Sequence, residues 1–140
     1  KMQQVKDIMS RGLEHVSSTA TIQHAAEQMA SKNIGFLAIS NGQAADGVIT
    51  DRDIVVRCLA QNRDPQQTTV KECMSTDMAS VSEYADVQEA AGLMQQKQIR
   101  RLLVRDESGK LAGVVSLGDL ATGCDDEPLR AQVLEKVSAE

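Results

Sequence analysis

Two pairs of residues offer chemistry in this chain. Thr50 and Asp53 stand three apart where the β-branched run Val48-Ile49 gives way to apolar residues at helical spacing, Ile54, Val55, Cys58 and Leu59. Ser116 and Asp119 have the same spacing in Gly113-Val114-Val115-Ser116-Leu117-Gly118-Asp119-Leu120. This S/T-x-x-D arrangement at a strand-to-helix junction is a capping box. A helix start presents unpaired backbone N–H groups and a positive dipole end, so it accommodates an anion. The hydroxyl adds a donor, and an ionised Asp, which only accepts, suits a diol. The plainer reading is that both pairs cap their helices and do nothing else, worth about 1 kcal/mol each.

The surrounding sequence is duplicated. Val5-Lys6-Asp7-Ile8-Met9-Ser10 aligns with Val70-Lys71-Glu72-Cys73-Met74-Ser75. In the same register Val16 falls on Val81, Ile22 on Val87, Ala25-Ala26 on Ala90-Ala91, Met29 on Met94, Ile34 on Ile99 and Leu37 on Leu102. After one inserted residue Gly47 falls on Gly113, Thr50 on Ser116 and Asp53 on Asp119. A tandem duplication accounts for matches that run through both halves in order.

Periodicity supplies the elements. Ile22, Ala25, Ala26 and Met29 define one face of a helix over 21–32, with Thr19 or Thr21 as its cap. Residues 35–40 and 46–50 read as strands around a turn beginning at Asn41-Gly42, and a helix follows from about 51 to 61. The second copy repeats this with a helix over 86–97, strands over 101–105 and 111–116, and a helix from Leu117 to about Ala121. Short extended pieces near 15–17 and 79–82 complete a β-α-β-β-α order in each copy. We divide the chain into a first repeat (1–62), a polar linker (63–69), a second repeat (70–124) and a C-terminal amphipathic helix (125–140) that starts near Pro128 behind three acids. One hairpin with two helices buries too little to stand alone. Two copies packed through their sheets would give a pseudo-twofold α/β (α+β) fold with two related clefts.

Composition narrows the classes. Of 140 residues, 41% are hydrophobic and 25% charged, enough for a core and against wholesale disorder. The formal net charge of −5 argues against a general nucleic-acid binder, which needs surplus cations against phosphate. No apolar run approaches the ~18 residues of a bilayer span, and no secretory signal is expected. Cys58, Cys73 and Cys124 form no C-x-x-C pair, so a reducing, cytoplasmic setting is the expectation. Cys58 and Cys73 read as core residues, and the acids after Cys124 disfavour a reactive thiol there. His15 and His24 lack other ligands at metal-site spacing, and no nucleophile–base set or Walker-type loop is present.

Val5–Ser10, Ala20–Met29, Gly47–Ile54, Val70–Ser75, Val87–Met94, Ile99–Val104 and Gly113–Leu120 together resemble a tandem pair of CBS domains, the Bateman module, and in particular the small stand-alone bacterial proteins made of little else. The resemblance covers all but the linker and the C-terminal helix. It implies a disc-like homodimer and a non-enzymatic regulatory role, with an adenosyl ligand (AMP, ADP, ATP or S-adenosylmethionine) held between two repeats. No obligatory cofactor is implied, and an effector protein acting in trans is. Within it, Asp53 and Asp119 would take ribose hydroxyls, while Thr50 and Ser116 would approach a phosphate. Arg100 and Arg101, ahead of the strand Leu102–Val104, occupy a place where related members carry phosphate-meeting residues; the first repeat has Gly35 and Phe36 there. Leu13 and Met78 resemble positions that pack on an adenine. The chain departs from the common pattern by lacking Pro in both hairpin-opening strands, where Ala38 and Leu103 stand, and by Gly118 where the first motif has Arg52. The alternative is a ligand-free scaffold for dimerisation and interaction, and an enzyme is a third, less favoured reading.

Overall fold

A computed structural model describes residues 3–40, 45–75 and 78–138. The turn expected at Asn41-Gly42 lies outside the described residues. Among those described, the chain forms two compact units, Leu13–Met78 and Lys1–Gly12 with Ala79–Glu140. The units are not the two sequence copies. Each takes a short segment from the stretch of chain that opens the other copy.

In the first unit, β1 (His15–Ser17) runs parallel to β2 (Phe36–Ser40), which pairs antiparallel with β3 (Ala45–Thr50). Between them lies α1 (Ile22–Lys32), whose Ile22, Ala25 and Met29 are buried at the spacing of one helical face. Thr21 caps α1 by accepting the His24 N–H at 3.1 Å, and the helix ends on Asn33 at φ 55°. After β3 comes α2 (Asp51–Asp53), which continues as a π-helical turn, Ile54–Cys58, and a 3-10 turn, Leu59–Gln61. The wide turn keeps Ile54 and Cys58 buried and leaves Val55, Val56 and Leu59 exposed. A one-turn helix, α3 (Val70–Cys73), then adds Val70 and Cys73 to the same apolar cluster as Ile22, Leu37, Ile39 and Ile49.

The second unit repeats the plan with β4 (Ser80–Ser82), α4 (Val87–Lys97), β5 (Arg101–Arg105), β6 (Leu111–Ser116) and α5 (Leu117–Gly123). Its sheet order, β4-β5-β6, matches β1-β2-β3. The place of α3 is taken by a 3-10 turn, Val5–Asp7, from the start of the chain, whose Val5 is buried with Val87, Met94, Leu102 and Val115. The two borrowed segments dock alike. Ser75 exchanges backbone hydrogen bonds with Val48 at 2.8 and 3.0 Å, and Ser10 does so with Val114 at 2.9 and 3.1 Å. A Cβ on Gly47 would stand 2.5 Å from the Ser75 carbonyl oxygen, and one on Gly113 would stand 2.3 Å from that of Ser10. Glycine at both places is what allows the borrowed backbone to lie this close.

The unit closes with α6 (Glu127–Ser138), where Leu129, Val133 and Val137 pack on the apolar cluster. Asp126 holds its start by accepting the Leu129 N–H at 3.1 Å and the Gln88 amide at 2.8 Å. The class is therefore α+β, with one three-stranded sheet in each unit. No helix among the described residues is long and apolar enough to cross a membrane.

Candidate functional site

Both capping boxes are formed. The Thr50 hydroxyl accepts the Asp53 N–H at 3.0 Å, and the Asp53 carboxylate accepts the Thr50 N–H at 3.0 Å. Ser116 and Asp119 repeat this at 3.1 and 2.8 Å. Capping occupies one lone pair of each carboxylate and leaves acceptor capacity on both.

The surroundings of the two motifs differ in charge. Arg101 pairs with Ser116 across β5 and β6, and the Leu117 N–H donates to the Arg100 carbonyl at 2.8 Å. Strand register thus brings Arg100 and Arg101 to Ser116, fifteen or more residues away in the chain. Arg100, Arg101, Ser116, Leu117 and Gly118 line a cavity of about 240 Å³. Gly118 is exposed at its wall.

In the first unit the same register pairs Phe36 with Thr50, and the Asp51 N–H donates to the Gly35 carbonyl at 3.0 Å. The Asp51 carboxylate fills the space over Gly35, where a Cβ would come within 2.6 Å of it. An acid therefore stands where the second motif has Leu117, beside a glycine where that motif has Arg100. Asp53 is buried, and its carboxylate also accepts the Ser75 hydroxyl at 3.2 and 3.3 Å and lies 3.8 Å from the Arg57 guanidinium. Arg57 further donates to the Met74 carbonyl at 3.0 Å. Leu13 and Met78 are half-buried, as the first and last residues of this unit. Of the expected site residues, then, Arg100, Arg101 and Ser116 converge on one cavity with Asp119 bonded to Ser116. Thr50 and Asp53 form a separate, more internally satisfied set.

Spacing in the sequence does not place Ser75 beside Asp53; the fold does. The place of Ser75 in the repeated V-K-x-x-M-S phrase is the available signal. Cys58, Cys73 and Cys124 are buried free thiols. Burial pushes the Cys73 thiol upward, helped by the nearby Cys58, which keeps it protonated and poorly nucleophilic. His15 and His24 are exposed, and no group of three or more His, Cys, Asp or Glu suited to a metal occurs among the described residues.

Comparison with known proteins gives these motifs a setting. The CBS domain family matches twice, over residues 5–59 and 70–124. The chain is 43% identical over 120 residues to the CBS domain-containing protein YhcV of Bacillus subtilis, covering 86% of this chain and 84% of the relative. The crystal structure of Hypoxic Response Protein I with two coordinated zinc ions, a protein of Mycobacterium tuberculosis, superposes with a TM-score of 0.74 at 35% identity, covering 86% of this chain and 98% of that one. The CBS domain pair of protein MJ0100, solved with 5′-methylthioadenosine and S-adenosyl-L-methionine, gives a TM-score of 0.74 at 29% identity over 86% of this chain and 94% of that one. With both halves of its duplication matched in order, the chain belongs to the CBS-domain family as a tandem pair.

Proposed function

We propose that this CBS pair is a non-enzymatic regulatory module that binds an adenosyl ligand at the second repeat's motif. The observation that carries this reading is the cavity where Arg100 and Arg101 meet Ser116, with no acid among its described lining residues. A phosphate placed there gains charge-assisted hydrogen bonds from two guanidinium groups and a hydroxyl. Asp119, one helical turn on, is the acceptor for a ribose diol. The size of the cavity suits the phosphate end of a ligand rather than the whole of it. The adenosyl compounds bound by the MJ0100 pair support the ligand class. Acidic Asp51 and the engaged Asp53 make the first motif the weaker candidate for a phosphate.

Isothermal titration with AMP, ADP, ATP and S-adenosylmethionine tests this. The expected result is one saturable site for at least one of the four, lost in Asp119→Ala and retained in Asp53→Ala variants that remain folded. Absence of heat across all four would overturn it.

A second reading, a scaffold that self-associates, is favoured by a different observation. Val55, Val56 and Leu59 are 55%, 42% and 51% exposed on one helical segment, an apolar surface of the kind that marks interaction sites. A homodimer through this face is compatible with ligand binding. Light scattering on Val55→Lys and Leu59→Lys reads it directly, a monomer being the expected product.

A further inference from the structure

A groove of about 480 Å³ lies in the second unit between α4 and α6. Met94, Leu117, Leu129 and Val133 form its apolar lining, and Arg100 and Lys136 are its charged members. Met94, Leu117 and Val133 are all nearly inaccessible to water, so this floor is part of the core surface. Gln95, Gln98 and Gln132 supply polar rims. The volume falls within the range of small-molecule sites, and an apolar body with a few convergent polar groups is their usual composition.

Charge decides what would enter. The chain carries 20 acids against 15 Lys and Arg, yet among the described residues none that lines this groove is acidic and two are cationic. An apolar slot whose described charged members are cations favours an amphipathic anion over a cationic ligand. One wall of the groove, Leu129, Gln132, Val133 and Lys136, is built by α6, which lies beyond the residues matched by the family, 5–59 and 70–124. Among the described residues the first unit has no element corresponding to α6, so this groove is seen in one repeat only.

We propose that the α4–α6 groove binds an amphipathic organic anion, an alkyl or aryl body carrying one carboxylate or sulfonate, with the apolar part on Met94, Leu129 and Val133 and the anionic group near Lys136 and Arg100. Because Arg100 and Leu117 also line the cavity at Ser116, replacing either would confound two sites. The test therefore uses α6 residues that touch only the groove. The site stands whether or not a phosphate binds at Ser116.

The experiment is a fluorescence titration of the full chain with 1-anilinonaphthalene-8-sulfonate as the aryl probe, displaced by decanoate as the alkyl one and by decanol as the neutral control. Lys136→Glu reverses the charge, and Gln132→Trp fills the groove from an exposed position. Leu134→Lys alters the 46% exposed Leu134 on the same helix, which does not line the groove. Melting curves confirm that each variant is folded. The expected result is one saturable site, weakened about tenfold or more in Lys136→Glu, as loss of a charge-assisted contact implies, and weakened in Gln132→Trp because the indole takes up the groove. Leu134→Lys should bind as the parent does, and decanoate should displace the probe well below the concentration at which decanol does. Non-saturable fluorescence, equal displacement by decanol, or variants no weaker than Leu134→Lys would each overturn the proposal. Displacement by decanoate identifies the alkyl source of the shared chemistry; probe binding without it restricts the groove to aryl anions.

Discussion

The Ser75 hydroxyl donates to the carboxylate of Asp53, 3.2 and 3.3 Å from its two oxygens, across twenty-two positions of chain. Asp53 is buried, and it also holds the Thr50 N–H and faces Arg57. A buried carboxylate is tolerated because such partners replace its water. At the matching place in the second unit Ser10 is exposed, and no hydrogen bond joins it to Asp119 among the described residues. The repeat is thus symmetric in sequence and asymmetric in use.

Ser75→Ala should therefore cost about 1–3 kcal/mol, the penalty for withdrawing a donor from a buried acceptor. Ser10→Ala should stay within about 0.5 kcal/mol, as surface substitutions do. Urea unfolding of the two variants measures the difference, and equal midpoints would remove the asymmetry argued here.

The glycines facing the borrowed segments give a second contrast. Gly47→Ala and Gly113→Ala would push a methyl group against the backbone oxygens of Ser75 and Ser10, which cannot rotate away. We expect each to lose about 1–3 kcal/mol, the usual cost of overpacking. Gly92 lies exposed in α4 with nothing near its Cβ, so Gly92→Ala should gain about 0.5–1 kcal/mol from helix propensity alone. Thermal melts that ranked the three variants together would contradict the close approach.

What the sequence revealed and what it hid follow from one physical distinction. Local patterns were legible: Ile22, Ala25 and Met29 bury one face of α1 as their spacing requires, and the capping boxes at Thr50 and Ser116 form where the strands end. The exchange of opening segments was not. Val5–Ser10 and Val70–Ser75 carry nearly the same pattern, so either would fit against either β-hairpin, and the choice is set by chain connectivity. The π-helical turn at Ile54–Cys58 has no local sequence signature either. The cavity at Ser116 needed strand register, which places Arg101 opposite it. The groove under α6 depends on how two helices with ordinary amphipathic patterns lie together, which neither pattern specifies.

Acid should weaken the fold through identifiable carboxylates. Glu72 accepts the Thr69 N–H at 2.7 Å and its hydroxyl at 3.0 Å, and Arg63 pairs with it. The Thr69 backbone bond first, then its hydroxyl, hold Glu72 below its ordinary value of 4.5. The Gln88 amide and then the Leu129 N–H hold Asp126 below 3.8. A carboxylate lowered in the folded state stabilises it above the unfolded pKa and ceases to as pH falls through the folded one. Stability should accordingly decline below a pH of about 4.5, and Glu72→Gln with Asp126→Asn should flatten that decline while lowering stability at neutral pH. Urea midpoints between pH 7 and pH 3 read both effects, and an unchanged slope in the double variant would assign the acid limb to other groups.

The charge difference between the motifs makes a prediction about ligand preference. If Arg100 and Arg101 receive the phosphate, affinity should fall steeply with added salt, because exposed charge pairs are screened over about 10 Å at 0.1 M ionic strength. Arg101→Ala should weaken a phosphate-bearing nucleotide by about ten- to a hundredfold, the range for losing one hydrogen bond to a charged group. It should also flatten the salt dependence, since one cation fewer then meets the phosphate. Arg52→Ala removes a cation of similar exposure beside the first motif and should change neither quantity. S-adenosylmethionine has no phosphate, so its binding should be nearly indifferent to Arg101→Ala. Titrations of ATP and S-adenosylmethionine at two salt concentrations separate these cases. An Arg101→Ala loss that is the same for both ligands would place the anion elsewhere and leave the arginine a structural role at the start of β5.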